Sequence, residues 1–506
     1  MNRSRMIIAS VIIGVVLVAA LFALISNYSS AIARKDQEIA NLNDTITRLN
    51  ETINASNNAS GATVSYIVWG EGSVYKAKNA WTGQTEFQDS NFTSLFLDVS
   101  DALPSQGGVI HLKPGTYGGW IVIDRDGLTL EGEGASPAGI SGIPDNSPTS
   151  LIGTVLKVDT PNKDGVHISG QRYGIQISDL GIWFTQPSTG NGISDDMDQS
   201  YHCTGCTFTG ITILNNDKSH YAIQMSNFLH LDVSDIMAWG GPLLNLYCNK
   251  DGFQAGNSNF YNIYGYVKYD LAPINFTNGP YPIFIHKNDS LSDLWVNFLH
   301  FYRVQVNSPF GQSDSDYYTM ILWDCRDSTF DGLDFEGTGT GFEGHRLGMG
   351  SCQSLTFMNA LMWSMNDNLY VNIADNNEQN VFIGCTLYKG LVLDSCATDT
   401  WVGCKIDGTI HQDSKAVFDN LPGNSGEATL QAGQSAVNVT AKFIGQDYMV
   451  FLQPISNQSL QAGEALKIGA VYNAPNSRFT VTCIDGNPAS KDISFSWMAV
   501  WKSSKA

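Results

Sequence analysis

The sequence predicts an all-β chain: a right-handed parallel β-helix, coiled as a single-stranded solenoid, with a transmembrane helix and stalk before it and a small antiparallel β-sandwich after it. Three observations carry this reading. An apolar-x-x-apolar-x-apolar pattern recurs through the middle of the chain. Cysteines sit at fixed offsets from that pattern. Charged residues make up only 15% of the 506, while 49 are glycine, a balance that disfavours long exposed helices and favours short strands joined by tight turns.

The repeat runs Ile177/Leu180/Ile182, Phe208/Ile211/Ile213, Val233/Ile236/Ala238, Phe260/Ile263/Tyr266, Phe301/Val304/Val306, Phe330/Leu333/Phe335, Phe357/Leu361/Trp363, Phe382/Cys385/Leu387 and Trp401/Cys404/Ile406. The Phe260 and Phe357 triplets need a one-residue slip to fit. First members are separated by 31, 25, 27, 41, 29, 27, 25 and 19 residues. Three strands of about five residues with their turns fill one such coil. A leucine-rich repeat has a shorter period, and a propeller blade needs about 40 residues or more. Cys203, Cys325, Cys352 and Cys396 each lie five residues before a first member, and Cys385 and Cys404 share another offset. Like positions on successive coils stack about 4.8 Å apart, so these cysteines read as rungs of an interior ladder. Cys325 with Cys352, and Cys385 with Cys404, either bridge or pack as free thiols; with nine cysteines at least one stays unpaired within the chain. Cys203 and Cys206 form a lone Cys-x-x-Cys, without the second pair or histidines that a zinc site needs.

The other elements follow in chain order. Residues 1–5 carry Arg3 and Arg5 and are expected to stay cytoplasmic. The apolar run 6–25 is long enough to cross a bilayer of about 30 Å. The alternative is a cleaved signal peptide ending near Ala31-Ile32-Ala33. Either way the large domain is extracellular, on a single-pass membrane protein. Within the stalk, 26–60, Ile32, Ile39, Ile46 and Ile53 recur every seven residues with Leu42 and Leu49 between. That pattern fits a parallel two-stranded coil or a lone amphipathic helix. Asn-x-Ser/Thr acceptors at Asn27, Asn43, Asn50, Asn54, Asn58, Asn91, Asn275, Asn288, Asn438 and Asn457 suit an exterior location. Residues 61–92 read as lead-in strands. The β-helix is expected over 93–412, opened by a cap helix at Thr93–Leu103 that ends before Pro104. A linker, 413–425, precedes the sandwich, 426–506. The net charge of −20 excludes nucleic acid as a partner; it either keeps an exterior protein soluble or lets acidic loops hold Ca²⁺.

The run from Ser94 through Gly132 resembles the entry unit of the pectate-lyase-like right-handed parallel β-helix superfamily, in the branch shared with phage tailspikes and with archaeal and viral surface proteins. The resemblance is carried by Asp101-Ala102-Leu103-Pro104, Gly107-Gly108-Val109-Ile110-His111-Leu112, Pro114-Gly115-Thr116-Tyr117 and Leu128-Thr129-Leu130-Glu131-Gly132-Glu133-Gly134. Gly433 to Val439 and Phe495-Ser496-Trp497 resemble the sandwich that often follows. The resemblance implies a homotrimer, whereas the stalk heptads favour a homodimer; it also implies a polysaccharide partner, but the superfamily spans lyases, hydrolases, epimerases and non-catalytic binders.

A solenoid flank suits an extended glycan. Hydrolysis there needs two carboxylates; elimination needs a base with Ca²⁺ or Arg against a uronate. Asn249-Lys250-Asp251-Gly252 resembles the Asn-x-Asp-Gly element of polygalacturonase-type hydrolases. The rest of that set is broken: Asp195-Asp196 comes too early, Gly344-His345-Arg346 matches in part, and no Arg-x-Lys follows. Asp195, Asp196, Asp314, Asp316, Glu343, His345 and Arg346 are the candidate catalytic residues, on loops expected along one edge. Asn249, Asp251, Tyr264, Tyr266 and Tyr317 are the candidate substrate contacts, because tyrosines cluster around the long insertion and exposed rings stack on sugars. Two functions fit: a cell-surface β-helix that binds and cleaves a polysaccharide, or a non-catalytic adhesion protein that projects its sandwich to a partner.

Overall fold

The computed structural model describes residues 64–140, 148–185, 190–196, 203–215, 219–249, 255–267, 281–287, 295–307, 318–336, 345–363, 370–410, 414–419, 425–440, 448–455, 465–472 and 478–501. The span expected at 6–25 and the stalk lie outside them. No helix among the described residues is long and apolar enough to cross a membrane.

The chain is nearly all β and coils as a parallel β-helix with three ladders of in-register strands. The first ladder includes Val166–Ile168, Ile193–Asp195, Ile223–Ser226, Leu244–Cys248, Ile283–Lys287, Tyr318–Trp323 and His345–Gly350. In the second ladder Leu130, Ile177, Phe208, Val233, Phe260, Phe301, Phe330, Phe357, Phe382, Trp401 and Phe418 fall in one register column. That column is the repeat read from the sequence, and it is fully inside. Its rings stack, with centroids 4.6 Å apart for Phe260–Phe301, 5.1 Å for Phe301–Phe330, 4.7 Å for Phe330–Phe357 and Phe357–Phe382, and 3.9 Å for Phe382–Trp401. Each offset pair adds about 0.5–1.5 kcal/mol beyond the apolar area it buries.

Register stays strict because the turn from the second to the third ladder never changes length. A single left-handed residue makes it on nine successive coils: Asp179, Gly210, Asp235, Asn262, Arg303, Gly332, Asn359, Gly384 and Gly403. Asp, Asn and Gly tolerate that conformation best. Both slips expected in the repeat disappear. The inward trio after Phe260 is completed by Ile263 and Gly265, and after Phe357 by Ala360 and Met362. Tyr266, Leu361 and Trp363 face outward instead.

The turn from the first to the second ladder leaves backbone N–H groups inside, and an inner polar ladder satisfies them. Leu231 N donates to Ser258 Oγ (2.9 Å), Leu299 N to Ser328 Oγ (3.0 Å), Leu355 N to Asn380 Oδ1 (3.0 Å) and Asn380 N to Asp399 Oδ1 (2.9 Å). Each acceptor comes from the following coil, so the stack is tied along its axis.

Helix α1, Phe92–Asp101, starts at Asn91, whose side chain accepts from Ser94 N at 3.1 Å. It buries Phe92, Leu95, Phe96 and Val99, with Phe92 against Tyr117 at 4.9 Å. The ladder begins before the helix, since Tyr66–Glu71 pairs in parallel with Gly108–Leu112. It also reaches Val417–Asp419, within the segment expected as a linker. Beyond it are two three-stranded antiparallel sheets, Ser425–Leu430/Ile493–Trp501/Tyr448–Pro454 and Ala436–Thr440/Arg478–Cys483/Leu466–Tyr472, sharing a core that contains Leu430, Phe479, Val481, Phe495 and Trp497. Cys203 and Cys206 form a disulfide, whereas Cys325, Cys352, Cys385 and Cys404 are free and buried.

Candidate functional site

Outward positions of the third ladder alternate with the buried ones, so register alone decides what shares this face. One column runs Met237, Tyr264, Gln305, Asp334, Leu361; the next runs Trp239, Tyr266, Asn307, Glu336. Three coils thereby bring together a block of six: two tyrosines, then two amides, then two carboxylates. Rungs lie about 4.8 Å apart, and side chains two residues apart on one strand about 7 Å. Trp239 meets Tyr264 edge to face at 6.1 Å. Trp239 and Trp183 also pack on a small outer cluster of Leu151, Val155 and Leu214, which fixes the upstream end of the face.

The block is electrostatically incomplete. Oδ1 of Asp334 and Oδ1 of Asn307 are shut from solvent and accept no hydrogen bond from a described residue. Burial, and then the neighbouring Glu336 charge, push Asp334 up to about 6. Tyr264 is raised by burial and by the same glutamate. Such a face offers flat rings, amide donors and acceptors lacking donors, beside a carboxyl that keeps its proton into the mildly acidic range next to a second carboxylate. That is the equipment for holding a polyhydroxylated ligand and for acid–base chemistry on it.

Asp195 and Asp196 lie instead on the first ladder. Asp195 points inward, and its carboxylate accepts from Ser226 N (3.0 and 2.9 Å) and Ser226 Oγ (3.1 Å); burial pushes it up to about 7. Asp196 accepts from Gly170 N at 2.7 Å and lies 2.9 Å from His167 Nε2. The other ring nitrogen of His167 lies 3.1 Å from Asp164 Oδ2 and 3.1 Å from Ser194 Oγ, and Ser194 Oγ donates to Asp164 at 2.5 Å. The Asp164 hydrogen bond, opposed by burial and helped by Asp196, raises His167. Burial pulls Asp164 and Asp196 upward, but their hydrogen bonds outweigh it and both end low. Every polar atom of this network faces a partner, and Ser194 is fully buried. It clamps successive coils rather than presenting a reactive group.

Arg346, also on the first ladder, is fully buried and donates to Thr319 Oγ1 at 3.1 Å. His345 begins the same strand, His345–Gly350. Asn249 follows the strand Leu244–Cys248, and its N–H donates to Asn227 Oδ1 at 2.8 Å. Asp314, Asp316, Tyr317, Glu343 and Asp251 lie outside the described residues. The structure thus separates the expected catalytic residues from the expected tyrosines: Asp195, Asp196 and Arg346 belong to one ladder, Tyr264 and Tyr266 to another. Sequence reasoning missed Asp334, Glu336, Gln305 and Asn307. The signal was available: each lies one residue either side of an inward member, Val306 or Phe335, of a triplet already identified. Among the acceptor asparagines, Asn91 and Asn438 are described, and both are exposed. No group of three or more His, Cys, Asp or Glu among the described residues is arranged to hold a metal ion.

No family model and no curated protein matches the chain. Solved structures do. The enzymatically active domain of bacteriophage CBA120 tailspike protein 2 matches at 9% identity over 83% of this chain and 75% of that one, with a TM-score of 0.39. The A-module of a mannuronan C-5 epimerase from Azotobacter vinelandii matches at 11% identity over 65% and 93%, with a TM-score of 0.33. The Gp54 tailspike of Acinetobacter baumannii bacteriophage AP22, solved with a capsular saccharide, matches at 8% identity over 81% and 94%, with a TM-score of 0.32.

Proposed function

We propose that this is a cell-surface glycan-processing protein, anchored through residues 6–25, that binds an extracellular polysaccharide along the outer face of the third ladder and hydrolyses it there. The observation that carries the reading is the six-residue block Tyr264, Gln305, Asp334 and Tyr266, Asn307, Glu336. Tyrosine rings stack on sugar faces, Gln305 and Asn307 hydrogen-bond hydroxyls, and the two acids flank the scissile bond. Asp334, protonated at mildly acidic pH, gives its proton to the leaving oxygen. Glu336 takes a proton from the attacking water. The i, i+2 placement sets the two acids on one face with their backbones about 7 Å apart.

The test is a glycan array on the full chain, followed by turnover of each hit. Glu336→Gln should cut turnover about 10²–10⁴-fold while leaving binding in place, and Tyr266→Ala should weaken binding. A hit whose binding and turnover ignore both variants sinks the proposal. The adhesion reading retains one supporting observation: Phe451 and Met498 face each other across neighbouring C-terminal strands and are half-exposed, as a protein-docking patch would be.

A further inference from the structure

We infer that the glycan taken by this face is uncharged: a hydroxyl-rich polymer without uronate, sulfate or phosphate groups at the residues that occupy the block. The inference rests on the glycan-binding reading above and adds the chemical class. Two observations define it: one asks for hydroxyls, the other excludes anionic groups.

The first is hydrogen-bond demand. Asn307 Oδ1 and Asp334 Oδ1 are both acceptors, both closed to solvent, and neither receives a donor from a described residue. They stand on adjacent coils, on neighbouring columns of one face. A buried acceptor left without a donor costs about 1–3 kcal/mol, so a ligand that opens and completes this face brings donors. Sugar hydroxyls do so on neutral and anionic glycans alike, so this demand selects hydroxyls and leaves the charge to the second observation.

The second is charge. Asp334 and Glu336 face outward together with no described cation paired to either. Lys157 and Lys405 stand on other coils of this ladder and lie over aromatic rings. Lys157 lies 5.6 Å from the centroid of Trp183 and Lys405 4.8 Å from that of Tyr388, while Arg303, on the turn into this ladder, lies 4.9 Å from that of Tyr302. The segments that follow the three strands carrying the block, 268–280, 308–317 and 337–344, contain Lys268 against Asp270, Asp314, Asp316 and Glu343. An anionic polymer would be repelled at every step of approach on a chain of net charge −20.

The experiment compares uncharged oligosaccharides with uronate-bearing and sulfated ones of the same length, titrated into the full chain at low and high salt, with and without Ca²⁺. The inference expects an uncharged ligand as the best binder, about tenfold or more ahead of its anionic counterpart at low salt, with the gap narrowing at high salt because the exclusion is electrostatic. The double variant Asp334→Asn/Glu336→Gln should narrow the same gap at low salt. If the best ligand is anionic and Tyr266→Ala abolishes its binding, the face binds glycan but the charge inference is overturned. Binding of a uronate only with Ca²⁺ overturns it too. If Tyr264→Ala and Tyr266→Ala leave every affinity unchanged, the face reading itself falls, and the inference with it.

Discussion

Two ladders of the same solenoid treat polar groups in opposite ways. On the first ladder, His167, Asp164, Asp196 and Ser194 hold one another at 2.5–3.1 Å, and Asp195 caps Ser226. Further along, His286 is buried and stacks on Phe284, with Nε2 3.1 Å from Asn245 Oδ1; burial lowers it to about 3, so it stays neutral. Lys287 and Asp324, both nearly buried, approach to 3.4 Å, and Tyr221, Tyr281, Phe284, Tyr318 and Ile321 form an apolar cluster of their own outside the coil. On the third ladder, Asp334 Oδ1 and Asn307 Oδ1 receive no donor from a described residue, and Glu336 stands beside them on the same face. Completed networks stabilise, and incomplete ones persist where a ligand finishes them. Charge density therefore locates clamps on the first ladder, and the proposed site is where unmet acceptors coincide with outward tyrosines on one face.

The largest expected effect separates the two faces outright. Glu336→Gln and Asp334→Asn should each cost about 10²–10⁴ in turnover and leave thermal stability unchanged or slightly raised. His167→Ala should do the reverse, costing about 1–3 kcal/mol of folding stability by stranding two carboxylates with glycan affinity intact. Loss of glycan binding in His167→Ala, with its melting temperature preserved, would mean that the faces have been assigned the wrong way round.

The next effect is in pH. Turnover that needs protonated Asp334 should fall about tenfold per unit above its pKa of about 6. Asp334 is raised on folding, so ionising it removes stability as pH climbs from about 4, its value when unfolded, toward the folded value. The first face behaves differently. His167 is raised, so its contribution is complete below about 6.5 and is lost as pH rises through its folded pKa. Asp164 and Asp196 are lowered, so theirs is complete above about 4 and is lost as pH falls through their folded values. A pH–rate profile and a stability–pH profile should therefore differ in shape. A turnover limb that His167→Gln moves and Asp334→Asn does not would contradict the contrast.

How much of this was readable beforehand follows from the same geometry. Phe208, Phe330 and Phe382 were legible as one column because inward positions must be apolar on every coil, whatever their neighbours do. Tyr266 and Trp363 misled for the complementary reason. Large aromatic residues look like core, and only the fixed one-residue turn before each third-ladder strand shows that they point out. The candidate acids were sought where Asp is dense, at Asp195-Asp196 and Asp314-Ser315-Asp316. Asp195 and Asp196 are taken up in hydrogen bonds between coils, Asp314 and Asp316 lie outside the described residues, and the proposed acids, Asp334 and Glu336, flank the inward Phe335. The closed network on the first ladder was illegible, because Asp164, His167, Ser194 and Asp196 meet only when coils about 30 residues apart stack.

The smallest effect is the most discriminating. Asn307→Leu removes an acceptor that no described residue supplies with a donor and puts apolar volume in its place. Replacing an unsatisfied polar group this way should stabilise folding by about 0.5–1 kcal/mol while weakening the glycan that would have supplied the donor. Ser194→Ala, the matching change on the first ladder, removes a buried hydroxyl that donates to Asp164, and should instead cost about 0.5–1.5 kcal/mol with no change in binding. Opposite signs on stability, for two removals of one polar group each, follow only if one face is finished by the protein and the other by its ligand. Chemical denaturation of both variants, with and without a bound oligosaccharide, measures this directly. If Asn307→Leu is destabilised like Ser194→Ala, Asn307 is already satisfied within the fold, and the third ladder loses its claim to be the site.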